Sequence, residues 1–367
     1  MSSESELLDK LKAAAGMSRT TTPAGGQIIS LQGRLALVAV TALLVAFAPL
    51  VNVFEPFWLN ILTRILVFAL LAVSLDFIFG YAGLLSFGHA AMFGAGGYAA
   101  ALSVRGITTN AIVVLPISVL VGVLVAAVIG WFSVRARGIY FAMLTLAFAQ
   151  LFYVIAFTDL PAMVLGMETV TGGDGGLFGI QLYEMFGIDF SSRVAYFYLT
   201  LGLVMASLAL LVRMANSPFG RVLQGIRENE ERMEFIGYDI QRYKLIAFSI
   251  SGGFAGLAGG LYVPFQSVAS PGLLHWTTSG ELIVMLLLGG MGTLWGPMLG
   301  AGVVIFLEER LAGFATWEII LGSVFVVVVI FAPRGLAGTI ISVKNDPKNA
   351  AQNAKKALKN YFESIRG

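Results

Sequence analysis

The chain has 367 residues, 57% hydrophobic and only 12% charged, with a mean hydropathy of +0.85. Soluble domains carry charge on roughly a quarter of their residues, so this is the composition of a membrane protein. Lys and Arg number 23 against 21 Asp and Glu, a balance that argues against nucleic acid as a partner. With no Cys and only His89 and His275, thiol chemistry is excluded and a metal centre is disfavoured.

Residues 1–33 form a polar tail containing Lys10, Lys12 and Arg19. It is too long a leader for an ordinary signal peptide, so the apolar run Leu35 to Val51 is expected to be an uncleaved spanning helix. Further apolar runs cover 57–79, 82–103, 110–131, 138–159, 195–213, 244–266, 281–306 and 315–332. They are long and continuous where barrel strands would be short and alternating, so helices are expected. The run 281–306 carries Gly289, Gly290, Gly292, Gly296, Pro297, Gly300 and Gly302, and is read as two shorter pieces. The expectation is an all-α polytopic membrane protein of about 8–10 hydrophobic segments, with a transmembrane domain over 34–340 and a basic tail over 341–367.

With a cytoplasmic N-terminus and alternating crossings, every Lys and Arg except Arg64, Arg105, Arg193 and Arg310 falls on the inner side, as the positive-inside rule requires. Both termini are then cytoplasmic, 160–194 is external and 214–243 internal.

Two glycine-dense segments, Gly80 to Gly97 and Gly289 to Gly302, occupy comparable places in the two halves and share a Met-x-Gly-Ala-Gly string, Met92 to Gly96 and Met298 to Gly302. Such segments are the sequence sign of broken or re-entrant helices lining a transport route; the alternative is close packing alone. Gly252, Gly256 and Gly260 recur every fourth residue, as do Gly292, Gly296 and Gly300, and each set is expected on one helical face for packing.

Arg64, Asp76, His89 and Glu281 lie in or near the membrane, where ionisable groups are candidates for function. Arg64 and Asp76 are about 120° apart around a helix, so no pair is expected between them. Asp76 and Glu281 suit amide capping as well as substrate contact. Ser86 and His89 are expected to share a face and an interior hydrogen bond. Asp76, Ser86, His89, Glu281, Gly292 and Gly296 are the candidate substrate pathway, with Asp76 and His89 near the first break and Glu281 near the second.

The stretch 214–243 concentrates Arg221, Arg227, Arg232, Glu228, Glu230, Glu231 and Glu234 on a helical pattern ending at Gly237. Its apolar members Val222, Leu223, Ile226, Met233 and Ile236 predict a partly buried helix lying on the inner surface. The loop 171–176, Thr-Gly-Gly-Asp-Gly-Gly, lacks the Lys-Ser/Thr of a phosphate loop. With no nucleophile and base either, a non-catalytic chain is expected, and no cofactor.

Four strings carry a resemblance: GYAGLLSFGHAAMFGAGGY from Gly80, TGGDGGLFGI from Thr171, the run from Arg221 to Tyr262, and LLGGMGTLWGPMLGA from Leu287. In this order they resemble the LivM-type permeases of branched-chain amino acid ABC importers. The resemblance covers most of 57–336 and implies a subunit of the bacterial inner membrane. Its implied partners are a LivH-type permease, two ABC ATPase subunits, an extracytoplasmic binding protein and membrane lipid. It also implies that Arg227, Glu228, Glu234 and Gly237 belong to the ATPase coupling region, where Phe235 is bulkier than the family's usual small residues. Urea, amide and aromatic-acid importers share the family. A self-contained secondary transporter is the competing class, and has no use for a docking helix.

Overall fold

The computed structural model describes residues 56–185 and 188–313, with isolated positions at 319, 322, 323, 335 and 336. The expectations for 1–33, for the runs 35–51 and 315–332 and for the tail 341–367 lie outside the described residues. Helices dominate: α1 Pro56–Ala82, α2 His89–Gly106, α3 Ala111–Ser133, α4 Ile139–Phe157, α5 Leu160–Leu165, α6 Arg193–Ala215, α7 Pro218–Glu228, α8 Glu230–Phe235, α9 Ile240–Gln266, α10 Trp276–Gly289 and α11 Gly296–Leu311. Five of these, α1, α3, α4, α6 and α9, are long and apolar enough to cross a membrane.

Local chemistry sets the ends. Asn110, Ser192 and Asp239 accept backbone N–H groups from Ile112, Ala195 and Arg242 at the starts of α3, α6 and α9, satisfying donors that a helix cannot satisfy itself. Alpha-1 stops at Ala82 because Gly83 turns left-handed at φ +73°, sending Gly83 N and Leu84 N back to Phe79 O and Ile78 O. The expected helix 82–103 therefore begins only at His89, after a non-helical stretch over 83–88.

The second half breaks in the same manner. The run expected as two pieces is α10 and α11, joined by a non-helical turn over 290–295. The two Met-x-Gly-Ala-Gly strings occupy the opening turns of α2 and α11, each directly after a break.

Packing centres on α1, whose spanning window is 83% buried against 28% for α4. Alpha-1 is flanked by α6, α9, α10 and α11, while α9 also lies along α2 and α3. Glycines permit that approach: a side chain on Gly259 would meet Gly97 N at 2.8 Å, and one on Gly256 would meet Gly122 Cα at 2.9 Å. The packing face expected of Gly252, Gly256 and Gly260 is present. The matching expectation for Gly292, Gly296 and Gly300 fails, because Gly292 stands outside the helix at φ +75°.

Pro264 in α9 has no N–H for Gly260 O, its usual partner four residues back; Tyr183 OH donates to that oxygen at 2.6 Å instead. Tyr196 OH donates to Leu261 O beside it. Tyr183 belongs to the segment 158–192, which also holds strands β1 Leu177–Phe178, β2 Glu184–Met185 and β3 Ile188–Asp189. Beta-1 pairs antiparallel with β4, Val268–Ala269, and β2 pairs with β3. Asp159 ties this segment together by accepting from Thr169 Oγ1, Val170 N, Thr171 N and Thr171 Oγ1. Partial burial pushes its carboxyl upward, but these four donors outweigh that and hold it below the usual carboxylate range.

Candidate functional site: two helix breaks joined to a surface helix

The two breaks meet. A side chain on Gly80 would lie 2.8 Å from both Gly292 N and Gly292 Cα, so backbone rests on backbone there. Asp76, fully buried one turn earlier in α1, sends its carboxylate across the junction. Oδ1 accepts Gly292 N at 2.6 Å and Oδ2 accepts Leu294 N at 2.9 Å. Asp76 thus caps amides, as one sequence reading allowed, but those of the distant break. Leu294 is left-handed at φ +59°, a conformation costing about 1–2 kcal/mol in a non-glycine residue, and the Asp76 bond helps hold it. Tyr81 OH donates to Gly292 O at 3.3 Å. Gly296 closes the turn through its N–H to Thr293 Oγ1 at 3.0 Å.

The entry to α2 is fastened by hydroxyls from three helices. Phe87 N donates to Thr145 Oγ1 of α4, Ala90 N to Ser279 Oγ of α10, and His89 Nε2 lies 2.8 Å from Ser251 Oγ of α9. Ser251 in turn donates to Ser74 O of α1. Because its one proton goes there, Ser251 must accept from His89, which fixes the imidazole as the Nε2–H tautomer. Nδ1 is buried without a hydrogen-bond partner among the described residues. The expected Ser86–His89 pair does not form: Ser86 sits in the non-helical stretch and accepts from Gly88 N at 3.0 Å.

Glu281 is not at the second break. It lies in the early turns of α10, nine residues, or about 13 Å of helix, from Gly290. Its electrostatic neighbours are Glu308 and Arg64, and Arg64 bonds Glu308 at 3.0 Å.

On the face where α1 ends, the polar stretch folds as two helices rather than one, because Asn229 turns extended and caps α8 through Arg232 N. Val222, Leu223 and Ile226 are buried as expected and Met233 partly so, but Ile236 is 65% exposed. The tip is apolar and bare, with Phe235 91% exposed. Gly237, at φ +99°, returns its N–H to Glu234 O while Tyr238 N reaches Met233 O, a left-handed closure of the helix. Glu228, Glu234 and Gly237 are exposed. Arg227 is exposed too, yet its Nη1 donates to Gly80 O, at the junction of the breaks. Glu230 binds Lys244 of α9 and Arg137 of the α3–α4 turn, beside a cavity of 260 Å³. A cavity of 670 Å³ is a groove lined by apolar residues between α3 and α6, none of them from either break.

Thr145, Ser251 and Ser279 carry no signal in the sequence, since single hydroxyls in apolar helices have no period, and neither does the pairing of Glu230 with Lys244. Among the described residues no cluster of His, Asp and Glu could hold a metal.

Residues 57–332 match the family described as the branched-chain amino acid transport system / permease component. The chain is 29% identical over 327 residues to the high-affinity branched-chain amino acid transport permease LivM of Escherichia coli K12, covering 83% of this chain and 74% of that protein. It is 25% identical to the probable LivM of Methanocaldococcus jannaschii over 63% of this chain and 74% of the relative. The LivH permease of Escherichia coli K12 is 22% identical over 74% of this chain and 91% of its own length. No solved structure matches. A helical membrane protein with two broken helices meeting above a surface helix, aligned over most of its length with these permeases, belongs to the branched-chain amino acid transport permease family.

Proposed function

We propose that this permease is the non-hydrolytic membrane subunit of an ABC importer for branched-chain or related apolar amino acids. Substrate comes from an extracytoplasmic binding protein, a LivH-type permease is the second membrane subunit, and two ATPase subunits dock on the α7–α8 face. That face is then cytoplasmic, as are both termini, and the membrane is the bacterial inner membrane. The observation that supports this reading best is the apolar tip Phe235–Ile236, exposed on a helix pair whose other face is packed on the bundle. Exposed apolar residues on a rigid mount suit a protein partner.

Asp76, Ser86, His89, Glu281, Gly292 and Gly296 belong to or border the passage, with the helix ends at the breaks giving substrate a brief, weak hold. Ionisable groups are too sparse there for tight binding of a zwitterion, so high affinity belongs to the binding protein.

Phe235→Glu tests the docking. Phe235 touches so little of its own chain that folding should be unaffected, while copurification of the ATPase subunits and leucine uptake should fall at least tenfold. Full ATPase association in Phe235→Glu would overturn the assignment.

A further inference from the structure

We propose that Arg227 is the positioning residue through which movement of α7 reaches both helix breaks at once; this rests on the reading that α7–α8 carries the ATPase. Three contacts converge on it. Its Nη1 donates to Gly80 O at the end of α1. A side chain on Gly83, the residue that ends α1, would meet Arg227 Cγ at 3.2 Å. A side chain on Gly292, in the second break, would meet Arg227 Nη1 at 3.7 Å. The arginine stem therefore lies on the first break and its guanidinium faces the second.

The second break has no slack with which to ignore this contact. Gly292 N and Leu294 N are held by Asp76, Gly292 O by Tyr81, and Gly292 rests on Gly80. Asp76 and Tyr81 belong to α1, so both breaks and the end of α1 form one unit. Arg227 joins that unit to the surface helix and lies within electrostatic reach of Asp76. The helix carrying it is rigid on the same scale: Val222, Leu223 and Ile226 anchor α7 in the bundle, and Arg227 is the next residue after Ile226. A tilt of α7 must either carry the junction with it or break the bond to Gly80 O. The planar fork matters here, since a guanidinium can hold Gly80 O through Nη1 while lying flat beside Gly292, whereas an ammonium is a point donor.

The test uses the complete importer in proteoliposomes, measuring ATPase copurification, leucine uptake, and ATP hydrolysis with and without leucine-loaded binding protein. Arg227→Ala should keep wild-type ATPase stoichiometry, because it leaves the apolar docking tip Phe235–Ile236 untouched, yet lose at least tenfold in uptake. Hydrolysis should lose its response to the binding protein, so that ATP consumed per leucine imported rises about tenfold. Arg227→Lys, retaining one donor and the charge, should restore part of that ratio, and serves as the measurement if the Ala variant does not accumulate. An unchanged ratio in both variants, whether uptake is intact or falls in step with hydrolysis, would overturn the proposal. Should wild-type ATPase fail to bind α7–α8 at all, shown by full association in Phe235→Glu, the docking reading fails instead.

Discussion

Asp76 and Leu294 are 218 residues apart in sequence and 2.9 Å apart as acceptor and donor, in a place without water-facing surface on either residue. A carboxylate that accepts two backbone N–H groups holds the second break in a shape that Leu294 would not adopt alone. Hydrogen bonds to a charged group contribute about 1.5–3 kcal/mol each. Asp76→Asn replaces one acceptor oxygen by a donor that faces another donor, so it should destabilise the purified permease by about 2–4 kcal/mol. Thermal unfolding in detergent measures this; an unchanged midpoint would show that the turn holds itself.

The close approach of α2 and α9 gives a sharper contrast. Gly259→Val would force Cβ inside 3 Å of Gly97 N and should destabilise by about 1–3 kcal/mol, as overpacking does. Gly202 is exposed and a Cβ there meets nothing within 4 Å, so Gly202→Val should stay within about 0.5 kcal/mol of wild type. The two variants, compared in one unfolding assay, separate packing from a general intolerance of valine.

His89 and His275 are the only histidines, so ¹⁵N-histidine labelling gives two imidazole signals. The one from His89 should report the Nε2–H tautomer, because Ser251 spends its proton on Ser74 O. Ser251→Ala should remove that preference; a protonated Nδ1 in the wild type would contradict the hydrogen-bond assignment.

Asp159 sets an acid limit for the segment 158–192. Its folded carboxyl is held below the ordinary value of 3.8, so its contribution to stability is fully present above pH 3.8 and is lost as the pH falls from there through the depressed folded value. Exchange of the Val170 and Thr171 amides, corrected for intrinsic rates, should accelerate in that window. In Asp159→Asn it should already be fast at pH 7.

What the sequence disclosed follows from the range of the forces involved. Glycine density located both breaks, the apolar set Val222, Leu223 and Ile226 located the buried face of α7, and Gly237 marked the closure after α8, because each is a local matter of backbone freedom or helical period. Asp76 was visible as costly but not its partners, since a contact across 218 residues leaves no period in either segment. Asn229 split the surface helix by capping a new one through Arg232 N, in place of continuing the helical pattern. Ile236 carried the right spacing for burial, yet α8 had already turned its last residues into solvent.

The central place of α1 has a consequence for how the chain is made. Its Arg64 bonds Glu308 and its Asp76 bonds Gly292 and Leu294, across 244, 216 and 218 residues. At synthesis rates of about 5–20 residues per second, α1 waits roughly 10–50 s on the ribosome's schedule before these partners exist. During that interval the arginine and the carboxylate lack the groups they bond in the finished chain. A permease chain that stops before α10 therefore carries on α1 an arginine and a carboxylate whose bonds to Glu308, Gly292 and Leu294 cannot form, so unfinished and finished chains differ at the helix on which the bundle is built.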